Sequence, residues 1–222
     1  MFSVQRIIPV VLLALACVGV AAPAQAATRP VVSIAEARSV PLGTVVTVEG
    51  VATTPSGAFE SSFFDKGFAI QDRSAGVYVS VAVDLDVTPR ERVRVTGTLR
   101  DSYGLRILVP AGPADVHVRG KGPAVHPKRL TTGAVDETTE GLLVRVVAPI
   151  TRGPESDGQY GNKLFVDDGT GELTIFVNHQ TGIDLTGLTV GQTVRVTGFS
   201  SQFDTHYEID PRFPADITVR HR

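Results

Sequence analysis

The feature that most constrains this chain is that it is written twice. "GTVVTVEGVATTP" at 43–55 is answered by "GLLVRVVAPITRG" at 141–153, and "GFAIQDRSAGVYVSV" at 67–81 by "KLFVDDGTGELTIFV" at 163–177. "VTPRERVRVTGTL" at 87–99 returns as "LTVGQTVRVTGFS" at 188–200, and "GPADVHVRG" at 112–120 as "FPADITVRH" at 213–221. The offset stays near ~100 residues, the size of a small domain and too long for a solenoid repeat. Chance likeness between valine-rich strands would not keep order, spacing and turn residues together. The chain is a tandem duplication, so its fold is one that a stretch of ~100 residues can close.

Within each copy the period is two. In "VYVSVAV", Val77, Val79 and Val81 alternate with Tyr78, Ser80 and Ala82; in "RVRVTG", Val93 and Val95 alternate with Arg92, Arg94 and Thr96. Alternation turns one row to a core and the other outward, and Val and Thr between Gly or Pro stops are strand chemistry. Copy one reads as strands near 44–54, 68–72, 76–83, 91–99 and 105–118, the last broken at Pro110 and Pro113. Copy two reads as 141–151, 163–168, 172–178, 192–200 and 206–219, broken at Pro211 and Pro214. Ser33 and Glu36 have capping-box spacing for a short lead-in helix, and 130–141 is its expected counterpart.

Two regions lie outside this pattern. Residues 1–26 combine Arg6, an apolar run and a terminal Ala24-Gln25-Ala26, the layout of a cleaved secretory signal. The apolar run is shorter than the ~20 residues that span a bilayer, so no membrane span is expected. Export to the periplasm or beyond the cell is the expectation, with lipid attachment at Cys17 the lesser alternative. Cleavage after Ala26 removes the sole cysteine, and with it disulfides and thiolate chemistry. Removing the signal also takes away Arg6 and no acid, so the charge of −2 becomes −3. That balance argues against tight duplex binding while leaving room for a local basic patch. "GKGPAVHPK" at 120–128 reads as a short, stiff linker between a first domain at 27–119 and a second at 129–222.

Five short strands, little helix and a long first loop fit a small closed barrel, so the expected fold is all-β, with two tandem five-stranded OB-type barrels. An immunoglobulin-like sandwich needs about seven strands per domain. The segment 68–107 resembles the OB-fold modules of secreted bacterial proteins, including those attached to extracellular nucleases. The resemblance rests on Phe68, Gln71, Asp72, Ser74 and Gly76, on Asp84 or Asp86, and on Val93, Val95 and Gly97. Copy two departs at Asp167 but keeps Asp168, Thr170, Gly171 and the Val194–Gly198 run. The resemblance implies a fold and a possible nuclease association. No catalytic pattern accompanies it.

The five histidines are isolated in sequence, and there is no nucleophile elbow, phosphate loop or calcium loop. Asp72, Asp167 and Asp168 sit at strand–turn junctions, where turn building outweighs acid–base or metal work. No catalytic residue, metal site or cofactor is expected.

A binding face is another matter. The outward side of an OB barrel's second and third strands, with its two flanking loops, is the usual platform. In copy two that side carries Lys163, Phe165 and Phe176; in copy one it carries Tyr78. Tyr103, with Arg100 and Arg106 nearby, marks a loop of copy one, and Tyr160, Phe203, His206 and Tyr207 occupy comparable places in copy two. Aromatic rings beside a cation suit stacking on unpaired bases. The same rings suit packing against the other barrel, and Phe59, Phe63 and Phe64 pose the same alternative. The expected function is a monomeric, non-catalytic binder of single-stranded nucleic acid. An envelope protein or glycan as ligand, or service as an accessory subunit of a secreted nuclease, are the alternatives.

Overall fold

The computed structural model describes residues 29–220. The expected signal segment and Cys17 lie outside the described residues.

Copy one supplies β1 (Val31–Val32), α1 (Ile34–Ser39), β2 (Val45–Ala52), α2 (Glu60–Phe63), β3 (Phe68–Gln71), β4 (Gly76–Val79), β5 (Glu91–Ser102), β6 (Leu105–Val109) and β7 (Val116–Lys121). Copy two supplies β8 (Lys128–Arg129), β9 (Leu143–Ser156), β10 (Gly161–Val166), β11 (Leu173–Asn178), β12 (Thr193–Phe203), β13 (His206–Asp210) and β14 (Ile217–Val219). In the first copy β2, β3, β4, β6 and β5 pair in that order, and β5 returns to β2 to close the ring. In the second, β9, β10, β11, β13 and β12 do the same, with β12 returning to β9. The third and fifth barrel strands run parallel in both, β4 beside β6 and β11 beside β13. The protein is all-β, two closed five-stranded barrels in the OB-type strand order.

The valine rows fill the two barrels as their period requires. Val48, Phe68, Ile70, Val77, Val79, Val93 and Val95 form one core, and Val144, Val146, Leu164, Val166, Ile175, Val194 and Val196 the other. Where one last strand was expected per copy, the prolines split it. Short 3-10 turns at Pro113–Asp115 and Pro214–Asp216 intervene, so β7 and β14 are separate strands beside β5 and β12.

Turn chemistry ties each copy's lead-in to its barrel. Ser33 and Glu36 form a reciprocal capping box on α1. The Asp72 carboxylate accepts from the Ile34 amide at 2.8 Å and from the Ser74 and Ala75 amides at 2.7 and 2.9 Å. Asp168 accepts from the Thr132 amide at 3.2 Å and its hydroxyl at 2.8 Å. There the lead-in is a 3-10 turn, Thr132–Ala134, rather than a second α-helix. Burial raises both carboxyls, but the donors around them outweigh it and hold them below their ordinary range.

A third apolar cluster lies between the barrels. Ala58, Phe59, Ala69, Tyr78, Leu105 and Ile107 of copy one close around Phe199 of copy two. The Phe199 ring lies 5.9 Å from Tyr78 and 6.1 Å from Phe59. Polar contacts surround this seam: Arg38 to the Glu140 carboxylate at 2.8 Å, the Leu143 amide to the Gln71 side chain at 2.9 Å, and an Arg212 guanidinium N–H to the Thr53 carbonyl at 2.6 Å. A side chain on either Gly76 or Gly141 would collide with the other's backbone, at 1.9 and 2.3 Å. The barrels are docked on each other.

Candidate functional site

Docking decides which platform stays open. In copy one the outward row of β3, β4 and β6 is Ala69, Tyr78, Leu105 and Ile107, and copy two covers it. Tyr78 is fully buried, stacked on Phe63 at 3.9 Å, and its hydroxyl donates to Asp65 at 2.8 Å. Burial, then the Asp65 charge, pushes its phenol well above the ordinary range. The expectation that Tyr78 faces a ligand is therefore corrected: its ring is part of the seam.

In copy two the corresponding row stays partly open. With loops from both barrels it lines a cleft of ≈ 500 Å³. Lys163 of β10 and Phe176 of β11 form its floor, directly opposite in register, with the ammonium 5.9 Å from the ring centre. On one rim Phe64, from the first long loop of copy one, meets Tyr160, from that of copy two, edge to face at 5.6 Å. On the other rim Tyr103, in the β5–β6 turn, stacks on Phe203 at 5.2 Å, and Phe203 meets His206 at 5.9 Å. Equivalent loops of the two copies thus come together in pairs, and the duplication builds the cleft. Phe64, Tyr103 and Phe203 are 71%, 65% and 48% exposed. These are unusual exposures for such rings, and together they make a ligand-sized aromatic patch.

The polar groups of the cleft are largely spoken for. The Lys163 ammonium donates to Asp157 at 2.9 Å. His206 lies 3.6 Å from the Glu208 carboxylate, and that partner raises its pKa against the opposing effect of burial. Each basic side chain has an acid beside it, and the Ser61 and Ser62 hydroxyls are engaged by Asn178, so the cleft offers flat apolar faces and little net charge.

Of the eight expected ligand residues, Lys163, Phe176, Tyr103 and Tyr160 meet in this cleft. The other four do not line it. Tyr78 is in the seam. Phe165 shares an outward face with Phe176, but the Arg152 guanidinium covers its ring at 3.4 Å. The Arg106 amide donates to Glu140 at 3.1 Å beside the seam, and Tyr207 turns inward against the copy-two core with its hydroxyl 3.3 Å from Glu137. Phe203 and His206, which the sequence placed beside Tyr160 in the copy-two loops, also line the cleft, and so do Phe63 and Phe64, for which packing and ligand contact were both open. The sequence signal that separates the copies is the outward row of the fifth strand: Leu105 and Ile107 in copy one, His206 and Glu208 in copy two. The apolar row is the covered one.

Among the described residues no three His, Cys, Asp or Glu side chains converge as a metal ion would require, and no helix is long and apolar enough to cross a membrane. No family model matches the chain, and no curated protein matches it in sequence. Solved structures resemble it in shape at low identity. An OBody bound to hen egg-white lysozyme is 18% identical over 45% of this chain and 100% of its own, with a TM-score of 0.35. The OB domain of a Methanosarcina mazei protein is 11% identical over 43% of this chain and 84% of its own, also at 0.35. A murine DNA-binding protein bound with double-stranded DNA is 12% identical over 82% of this chain and 98% of its own, at 0.38.

Proposed function

We propose that this is an exported, non-catalytic binding protein whose interbarrel cleft holds single-stranded nucleic acid by stacking unpaired bases on its open rings. The observation that carries the reading is the convergence of Phe64, Tyr160, Tyr103, Phe203 and Phe176 on one cleft, three of them with about half or more of their surface open. Rings this open give a flat ligand apolar area to cover. Base–aromatic stacking supplies ~1–3 kcal/mol per base and tolerates any sequence. Because Lys163 and His206 already face acids, stacking rather than phosphate neutralisation dominates at the cleft.

That same charge balance favours a second reading, an envelope oligosaccharide, whose sugar faces also lie flat on aromatic rings and carry no phosphate. Titration of a fluorescent oligodeoxynucleotide separates the two. The paired change Phe64→Ala with Tyr103→Ala, at two exposed positions, is expected to weaken binding at least tenfold, about 1.4 kcal/mol. Phe165→Ala, beneath Arg152, is expected to leave affinity within threefold. An affinity that survives the paired change removes the cleft as the site. Saturable capture of peptidoglycan fragments with no oligonucleotide binding selects the sugar.

A further inference from the structure

On the far side of copy two, away from the cleft, four arginines gather on the outer face of the barrel. Arg129, Arg145, Arg195 and Arg220, with Leu130 and Val147, line a shallow depression of ≈ 280 Å³. Their placement follows from register. Arg129 lies opposite Arg145, Arg145 opposite Thr197, and Arg195 opposite Val147 and Thr218. Outward positions two residues apart share a face, so the four form a diagonal stripe from β8 across β9 and β12 to the end of β14, with diagonal neighbours ~7–8 Å apart.

Among the described residues none of the four forms an ion pair. The Arg145 Nε–H donates to the Thr197 hydroxyl at 2.9 Å. The acid near Arg145 is Asp216, and both of its oxygens are engaged by Arg212 at 2.8 and 2.9 Å. Desolvation, then repulsion from Arg195 and Arg129, lowers the Arg145 pKa even with Asp216 nearby.

Copy one shows what this face looks like without the stripe. There Val31 lies opposite Thr47, Thr47 opposite Thr96, and Glu49 opposite Arg94. Glu49 neutralises Arg94 at 2.9 Å and approaches Arg92 at 3.9 Å. Copy two puts Arg129 where copy one has Val31, Arg145 for Thr47 and Val147 for Glu49. Arg129 and Arg145 are added and the Glu49 carboxylate is removed, while Arg92 of copy one becomes Thr193, so the face gains one cation net and loses its acid. A barrel of this fold does not need that arrangement, since its twin stands without it.

We infer that this stripe is a binding site for consecutive phosphate groups of a linear polyanion. Guanidinium forks match phosphate oxygens two at a time, and several at strand spacing span more than one phosphate. The stripe's location makes it independent of the cleft, and it stands whether or not the cleft takes a base.

The test follows the arginine Nε–H signals of the isotope-labelled chain by NMR. Inorganic tripolyphosphate and, separately, a base-free deoxyribose phosphodiester octamer are added at ionic strength held constant with chloride. Saturable shifts confined to Arg129, Arg145, Arg195 and Arg220 are expected. Tripolyphosphate alone would mark a short polyphosphate site; response to the octamer would mark a nucleic-acid backbone track; both support the inference. The change Arg145→Thr with Val147→Glu restores the copy-one residues at two positions of β9, which its twin shows to be compatible with the fold, and is expected to weaken binding at least tenfold. Arg220→Ala, at an exposed strand end, is a second variant expected to weaken it threefold or more. Phe64→Ala with Tyr103→Ala is expected to leave it unchanged, which separates failure here from failure of the cleft. No saturable response to either probe beyond the chloride control, or equal affinity in the β9 double variant and the Arg220→Ala variant, overturns the site.

Discussion

Asp210 occupies the outward row of β13, yet it has no exposed surface, and neither carboxylate oxygen meets a hydrogen-bond donor in good geometry. Burial, then the neighbouring Glu208 charge, raises its pKa well above the ordinary 3.8, and the Ser201 hydroxyl nearby recovers only part of that. The fold therefore favours the neutral form of Asp210 more than the unfolded chain does. A raised folded pKa gives stability that is whole below 3.8 and is lost as pH rises toward the folded value. Asp210→Asn copies the neutral form at every pH. Its melting temperature is expected to match wild type near pH 3.5 and to exceed it by several degrees at pH 8, since about 1 kcal/mol moves Tm ~2–4 °C in a chain of this size. The carboxyls held low, such as Asp72 and Asp168, pull the other way with pH but cancel in the difference between the two proteins. Parallel curves for wild type and variant would show Asp210 ionised in the fold.

The β5–β6 hairpin shows how an element can be shaped for display rather than for stability. Its two-residue turn, Tyr103-Gly104, holds both residues at positive φ, +50° and +95°. That turn favours Asn-Gly, whereas a bulky aromatic in the left-handed region is strained by ~1–2 kcal/mol. Phe64, ending α2 at φ +55°, is held likewise. Two of the three most exposed rings of the cleft thus sit on unfavourable backbone. Tyr103→Asn removes the ring and suits the turn; relief of strain is expected to offset the lost stack on Phe203, leaving Tm unchanged or higher while oligonucleotide affinity falls. A drop of several degrees would mean that the tyrosine stabilises its own hairpin. Much of this element-level structure was legible in the sequence: alternating Val93 and Val95, the Asp72 and Asp168 turns, the Ser33–Glu36 cap and the stops at Pro113 and Pro214 are local chemistry, decided within a few residues. The outward direction of Tyr78 and Phe176 was legible too. Whether outward meant water was not, because that depends on another barrel ~100 residues away in sequence arriving over Ala69 and Gly76.

At the scale of the molecule, duplication has produced two barrels with divided labour. Copy one gives up its platform to the seam and contributes loops; copy two keeps part of its platform open and carries the arginine stripe. Every cleft property therefore depends on a rigid dock, and the dock has one narrow tolerance. Gly76 and Gly141 pass so closely that a methyl on Gly76 would stand 1.9 Å from the Gly141 carbonyl oxygen. Gly76 does not lie in the left-handed region, so alanine suits its backbone and the clash is the whole effect. Gly76→Ala is thus expected to prise the barrels apart while leaving each core intact. The single unfolding transition expected of the docked pair should split or broaden, and Phe59 and Phe199 should become open to limited proteolysis. Oligonucleotide affinity at the cleft should fall at least tenfold, because Phe64 and Tyr103 would no longer face Tyr160 and Phe203. Tripolyphosphate binding at Arg145 and Arg195 should persist, since β8, β9, β12 and β14 all belong to one barrel. If both affinities and the melting profile survive the substitution, the seam yields at little cost, and the cleft is not the product of docking.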